Sequence, residues 1–78
     1  MELPCKAGDR VYAAFPKAKA IIEYVIVSIW VEEAGVSVRA VDTAFFTYGF
    51  FMAHEFGKKL FFNKKEAEQA LKEREENA

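Results

Sequence analysis

Short apolar segments, some alternating with polar residues and one rich in β-branched and aromatic residues throughout, recur along this chain and predict a series of short β-strands. A period of two places successive side chains on opposite faces of a strand. Turn residues separate the apolar segments, notably Gly8-Asp9, Pro16 to Lys19 and Glu32 to Gly35. The predicted strands cover residues 10–15, 21–31, 36–41, 45–51 and 58–62. The chain is therefore predicted to be mainly β.

The last part of the sequence changes to a helical pattern. Asn63 is suited to capping the free backbone N–H groups of a helix that begins at Lys64, and alanine and leucine then recur at helical spacing. We predict a helix over residues 64–74. Residues 52–57 are predicted to form a single helical turn closed by Gly57.

Residues 45–52, Phe-Phe-Thr-Tyr-Gly-Phe-Phe-Met, form the most aromatic segment of the chain. On a period of two, one face of this predicted strand carries Phe46, Tyr48 and Phe50. We expect those three rings to fill the core, because their alternation matches the pleat. For Phe45 and Phe51, on the other face, two alternatives stay open: burial in the core, or exposure as an anchor for another molecule.

Composition limits how much of this apolar surface can be hidden. Seventy-eight residues allow one domain, and a domain of this size has a small interior. Yet 53% of the residues are hydrophobic and 15% are aromatic. Five short strands with tight turns and a final helix are typical of a small, strongly bent antiparallel sheet of the SH3-like barrel type. The alternative fold is a flatter α+β sheet packed on the helix.

The net charge and the few potentially reactive residues limit the kinds of function that this chain can have. The net charge of −1 provides no overall attraction to nucleic acid or to an anionic membrane. Cys5, the only cysteine, excludes an internal disulfide, and the N-terminus lacks a signal-peptide pattern, so a cytoplasmic protein is expected. His54 and Glu55 are adjacent and would diverge on a helical turn. We find no motif for catalysis, a metal or a cofactor, and predict a protein that is not an enzyme.

Two segments carry a resemblance to a known group of proteins. Gly8-Asp9-Arg10-Val11-Tyr12 and the closing run from Phe56 to Leu71, with Gly57-Lys58, Phe61 and Glu66-Ala67, resemble the pattern of short, mostly uncharacterised proteins of Firmicutes genomes, phages and mobile elements. Asn63 stands where the group usually has threonine, and Lys65 where it usually has glutamate. The resemblance implies an accessory protein of a phage or mobile element, such as an anti-CRISPR-like inhibitor of host defence acting in the host cytoplasm.

These observations predict a protein-binding module without catalysis. Its partner is expected to be another protein, for example a host defence protein, or a second copy in a homodimer. The candidate partner-binding residues are Tyr24, Arg39, Phe45, Thr47 and Phe51. The alternative is an SH3-like accessory protein that binds nucleic acid through surface aromatics and lysines beside the loops. Residues 1–63 carry seven basic and seven acidic side chains, which disfavours that alternative.

Overall fold

The five β-strands found within the described residues join in one antiparallel sheet. The computed structural model describes residues 3–76, and the side chains of residues 3–73. The strands are β1 (Arg10–Phe15), β2 (Ala20–Glu32), β3 (Gly35–Asp42), β4 (Tyr48–Met52) and β5 (Leu60–Phe61). Their order across the sheet is β4-β3-β2-β1-β5. The prediction of a mainly β chain with a C-terminal helix is confirmed.

The sheet is bent but not closed. Within residues 3–76, β4 and β5 are the two edges and do not pair with each other, so the predicted barrel is not confirmed. A register shift between Ile26 and Ser28 marks a bulge in β2, which increases the local twist. The Lys59 Nζ atom lies 4.7 Å from the ring centre of Phe15 and 5.9 Å from that of Phe51. The bend therefore brings β4 close to the segment that precedes β5.

The concave face of the sheet holds the main core. Its fully buried members include Val11, Ile26, Val38 and Leu60, one from each of four strands. Successive inward residues on one strand are two apart, as the pleat requires. The core is thus built from every strand of the sheet, because Phe51 of β4 also belongs to this cluster.

A short 3₁₀ helix and an α-helix follow β4 and β5. The 3₁₀ helix covers Ala53–Glu55, and α1 covers Lys64–Glu76. The Asn63 Oδ1 atom accepts a hydrogen bond from the Lys65 backbone N–H at 2.7 Å, which caps the start of α1. The helix packs on the side of β1 and β5 opposite to the main core, where Ala67 is fully buried against Ala14 and Phe61.

The predicted strand over residues 45–51 is displaced in the structure, and its predicted inward face is wrong. β4 begins at Tyr48, and residues 45–47 belong to the loop that precedes it. Phe51 is buried with 4% of its surface exposed, whereas Tyr48 is 72% exposed and Phe50 is 63% exposed. Phe46, which lies in the loop, is also exposed. The three rings predicted to fill the core therefore face the solvent.

The physical reason is the space available beneath β4. The ring of Phe51 packs edge-on against the ring of Tyr24, with 5.2 Å between their centres. A Cβ atom at Gly49 would lie 2.7 Å from a Tyr24 ring atom and 2.8 Å from a Phe51 ring atom. The inward face of β4 therefore accepts one large ring and a glycine. The opposite parity of β4, in which Tyr48 and Phe50 face inward instead of Gly49 and Phe51, would force two large rings into the same space.

The predicted strand over residues 58–62 is also shorter in the structure. Only Leu60 and Phe61 form β5, paired with Ala13 and Tyr12 of β1. The Gly57 N–H donates to the Leu60 carbonyl at 2.8 Å, so the preceding residues fold into a turn instead of continuing the strand. Gly57 has a φ of +84°, a conformation that glycine adopts without strain.

The inward parity of β4 gives a direct prediction with a matched pair of variants. Phe51→Ala should lower the free energy of unfolding by about 3–5 kcal/mol, because a buried ring leaves a cavity. Phe50→Ala, one residue earlier on the exposed face, should change it by about 0.5 kcal/mol or less. Urea unfolding followed by circular dichroism measures both, and a larger loss for Phe50→Ala than for Phe51→Ala would contradict the structure.

Candidate functional site

The outer surface of β2, β3 and β4 is the part of the sheet that carries exposed aromatic side chains. The cross-strand register aligns Ser28, Arg39 and Phe50 in one row, with Trp30 and Tyr48 in the rows on either side. Trp30 is 49% exposed. We call Trp30, Arg39, Tyr48 and Phe50 the aromatic face. The helix packs on β1, β5 and the beginning of β2, which leaves this face open to solvent.

Arg39 is the charged centre of the aromatic face. Its guanidinium carbon lies 5.5 Å from the ring centre of Trp30, which is a cation–π contact. The Trp30 Nε1–H donates a hydrogen bond to the Ser28 Oγ atom at 3.2 Å. These two contacts, one on the face of the indole and one at its edge, restrain the ring. The face therefore presents an aromatic ring and a planar cation in a set orientation.

Two shallow depressions lie beside Arg39 on this face. One, of about 360 Å³, lies between Trp30, Arg39 and Phe50 and extends toward the β2–β3 turn. The other, of about 310 Å³, lies between Arg39, Tyr48 and Phe50. Both have Arg39 and Phe50 in their walls. Aromatic or aliphatic side chains of another molecule fit such depressions without a deep preformed pocket.

The loop between β3 and β4 is held by polar contacts rather than by packing of its aromatic residues. Asp42 is buried, and its Oδ1 atom accepts hydrogen bonds from the N–H groups of Ala44 at 2.6 Å and Phe45 at 3.3 Å. The hydroxyl of Thr43 donates to the Glu23 Oε1 atom at 2.9 Å. The loop is thereby tied to β2 and to the end of β3.

This loop directs two phenylalanine rings into water. Phe45 is 80% exposed and Phe46 is 77% exposed. Phe46 has a φ of +58°, a left-handed conformation that is costly for a bulky residue. Its N–H donates to the Asp42 carbonyl at 2.9 Å, which helps to keep the loop in this shape. Strain of this kind persists only where surrounding contacts determine the backbone, and it is concentrated at functional sites.

The predicted partner-binding residues divide into two groups in the structure. Arg39, Phe45 and Thr47 lie on the surface, Arg39 in the aromatic face and the other two in the β3–β4 loop. Tyr24 and Phe51 are buried against each other in the core, which removes them from the candidate surface. The open alternatives for Phe45 and Phe51 are thus resolved in opposite ways, Phe45 as surface and Phe51 as core.

Sequence reasoning assigned three of the exposed rings, Phe46, Tyr48 and Phe50, to the core, and it left the position of Trp30 open between core and surface. The signal that was available is Gly49, because a glycine inside a strand often marks a close approach of neighbouring atoms. Placing Gly49 toward the core would have placed Tyr48 and Phe50 toward the solvent.

Groups that could carry chemistry are few in the part of the chain that the structure describes. Burial raises the pKa of the Cys5 thiol, and the nearby Asp9 carboxylate raises it further. The thiolate needed for nucleophilic attack is therefore scarce at neutral pH. Among residues 3–76 there is no cluster of three or more histidine, cysteine or acidic residues that could hold a metal ion. None of the described helices is both long and apolar enough to span a membrane.

Comparison with known proteins adds no relative. No family model matches the chain, and no curated protein or solved structure matches it. The resemblance to short phage and mobile-element proteins therefore stays a prediction. The aromatic face and the β3–β4 loop are the observations from which a function can be argued.

The left-handed backbone at Phe46 predicts the relative stability of two variants. Phe46→Gly and Phe46→Ala both remove the exposed ring, but only glycine adopts a φ of +58° without strain. We expect the free energy of unfolding of Phe46→Gly to exceed that of Phe46→Ala by about 1 kcal/mol. Thermal or urea unfolding of the two purified variants measures the difference. Equal stability, or a more stable alanine variant, would show that the loop does not hold this conformation.

Proposed function

We propose that this chain is a non-catalytic protein-binding module that docks its aromatic face on another protein. The observation that carries the proposal is the exposure of Trp30, Tyr48 and Phe50 around Arg39. Tryptophan, tyrosine and arginine are the residues that contribute most often to the energetic centre of protein interfaces. Monomeric proteins seldom leave a continuous apolar area of this kind without a use for it.

The chemistry of the face indicates what the partner surface contains. Arg39 stacks on Trp30, and among the described side chains it forms no ion pair. Its remaining N–H groups suit a carboxylate, which arginine binds with two parallel hydrogen bonds. The neighbouring depressions suit apolar side chains. The proposed partner is therefore a mainly apolar protein surface with a carboxylate that faces Arg39.

The β3–β4 loop extends the proposed contact. Phe45 and Phe46 are exposed on a loop whose backbone is hydrogen-bonded to buried Asp42. A restrained loop loses little conformational entropy when it binds, so its exposed rings add affinity at low cost. Thr47, at the junction of the loop and β4, is proposed as a peripheral contact.

The more specific form of the proposal is an inhibitor encoded by a phage or mobile element. It rests on the resemblance of the Gly8–Tyr12 and Phe56–Leu71 segments to proteins of such elements. In this form the partner is a host defence protein in the host cytoplasm, as in anti-CRISPR-like inhibition.

We also propose that the bent sheet is an open form of an SH3-like barrel. The β2 bulge and the return of β5 to the side of β1 support that assignment.

Paired capture experiments test the protein-binding function. Tagged wild-type protein and a Trp30→Ala, Phe50→Ser double variant are incubated with a bacterial lysate, and the captured proteins are identified by mass spectrometry. We expect a protein that wild type captures and the double variant does not. With that protein purified, the double variant should weaken binding by about 2 kcal/mol or more, roughly thirtyfold.

The matched control removes an exposed aromatic ring elsewhere. Phe62 is exposed and stacks on Phe56, away from the aromatic face. Phe62→Ser should capture the same protein as wild type with unchanged affinity. Equal capture by the double variant, or an equal loss in Phe62→Ser, would contradict docking through the aromatic face.

Binding of single-stranded nucleic acid is a second candidate function. The observation in its favour is the presence of Trp30 and Phe50 beside Arg39, because bases stack on aromatic rings and on guanidinium planes. Glu32 borders the same depression and works against phosphate binding. We expect no binding of a labelled oligonucleotide by fluorescence anisotropy at low salt. Binding that weakens with added salt and with Trp30→Ala would establish this function instead.

A further inference from the structure

β4 is an edge strand, and its backbone polar groups can be assigned a direction. The Asp42 N–H donates to the Thr47 carbonyl at 2.8 Å, which makes this pair a hydrogen-bonded pair of the antiparallel ladder. Hydrogen-bonded and non-hydrogen-bonded pairs alternate along such a ladder. The N–H and C=O groups of Gly49 and Phe51 therefore point toward β3. Those of Tyr48 and Phe50 point away from the sheet.

The backbone N–H and C=O groups of β4 that point away from β3 could pair with another strand over a short segment without charged side chains. The Met52 N–H is already used, because it donates to the Glu55 Oε2 atom at 2.7 Å. Among the described residues, no hydrogen bond is found to the outward N–H and C=O groups of Tyr48 or Phe50. Natural edge strands are usually protected by lysine, proline or a bulge. The β4 sequence, Tyr-Gly-Phe-Phe-Met, has none of these.

The opposite edge of the sheet is covered. β5 has only two residues, and the Leu60 carbonyl accepts the Gly57 N–H at 2.8 Å. Phe56 also forms a bridge with Leu60 on this side. Within residues 3–76, β4 is thus the edge at which another strand can be added.

We propose that a second copy of this chain adds to β4 in antiparallel orientation, with a two-fold axis passing at Gly49. In this register Tyr48 of each copy lies opposite Phe50 of the other. The two resulting pairs each exchange both backbone hydrogen bonds, so every outward group of Tyr48 and Phe50 is satisfied. Tyr48 and Phe50, whose outward backbone groups have no partner, lie on either side of Gly49. A two-fold rotation at Gly49 therefore places the donors and acceptors of one copy opposite the acceptors and donors of the other, as a symmetric interface requires.

The side chains of β4 are compatible with a second copy of the chain at this edge. No charged side chain of β4 is brought against its own copy. Tyr48 and Phe50 project from the same face, so each ring lies beside a ring of the other copy, and such cross-strand aromatic pairs are favourable. The covered edge at β5 stops the addition of further copies, and the assembly closes as a dimer. The two aromatic faces then form one continuous surface.

The test uses the whole chain and compares two substitutions at Phe50. Phe50→Pro removes an outward N–H without removing a hydrogen bond to β3, whereas Phe50→Val keeps that N–H and removes the ring. Light scattering at increasing concentration should show wild type passing from monomer to dimer. We expect Phe50→Pro to weaken dimerisation by about tenfold or more, and Phe50→Val to weaken it less.

Amide hydrogen exchange of the wild-type protein provides the second measurement, in case Phe50→Pro fails to fold. The Tyr48 and Phe50 amides should become protected as concentration rises, while the Gly49 and Phe51 amides are protected throughout. A wild-type monomer at about 1 mM with unprotected Tyr48 and Phe50 amides would overturn the proposal. So would protection that appears only when a foreign protein is added. The result does not depend on the capture experiment, because dimerisation is measured with the pure protein.

Discussion

The packing of Phe51 against Tyr24 over Gly49 determines which side of β4 faces the interior. The two rings meet edge-on, and Gly49 leaves the space that a Cβ atom would occupy. Since side chains alternate along a strand, this single arrangement also directs Tyr48 and Phe50 to the solvent. The β4 part of the aromatic face, the depressions that Phe50 borders beside Arg39 and the direction of the free backbone groups at the β4 edge all depend on it.

A second constraint shapes the loop before β4. Asp42 is buried and accepts hydrogen bonds from two loop N–H groups, while Glu23 of β2 holds Thr43. These polar contacts stabilise a loop in which Phe46 has an unfavourable φ and Phe45 is exposed. Burial of those rings would have contributed to folding stability. The loop instead keeps them on the surface, as the proposed protein-binding function requires.

Local patterns in the sequence account for much of the fold. The period-two alternation in β1 and β3 and the β-branched and aromatic run of β2 indicated mainly β structure, and Asn63 indicated where α1 begins, because these signals depend on neighbouring residues. The parity of β4 depends on a contact between Gly49 and Tyr24, which are far apart in the chain. The loop depends on hydrogen bonds from Thr43 to Glu23. Whether a bent sheet closes depends on the pairing of its edges, which the alternation of side chains does not encode. Of the candidate site, Arg39, Phe45 and Thr47 were found from sequence, Tyr48 and Phe50 follow only from the β4 parity, and the position of Trp30 in β2 was left open.

Hydroxyl-radical footprinting of the folded protein in dilute solution, with oxidation measured for each residue by mass spectrometry, tests this account most directly. Tyr48 and Phe50 should be oxidised nearly as fast as in the urea-unfolded chain, Trp30 should be oxidised at an intermediate rate, and Tyr24 and Phe51 should be strongly protected. The contrast between Phe50 and Phe51 is decisive because they are adjacent and chemically identical. Rapid oxidation of Phe51 together with protection of Phe50 would contradict the β4 parity, and with it the aromatic face.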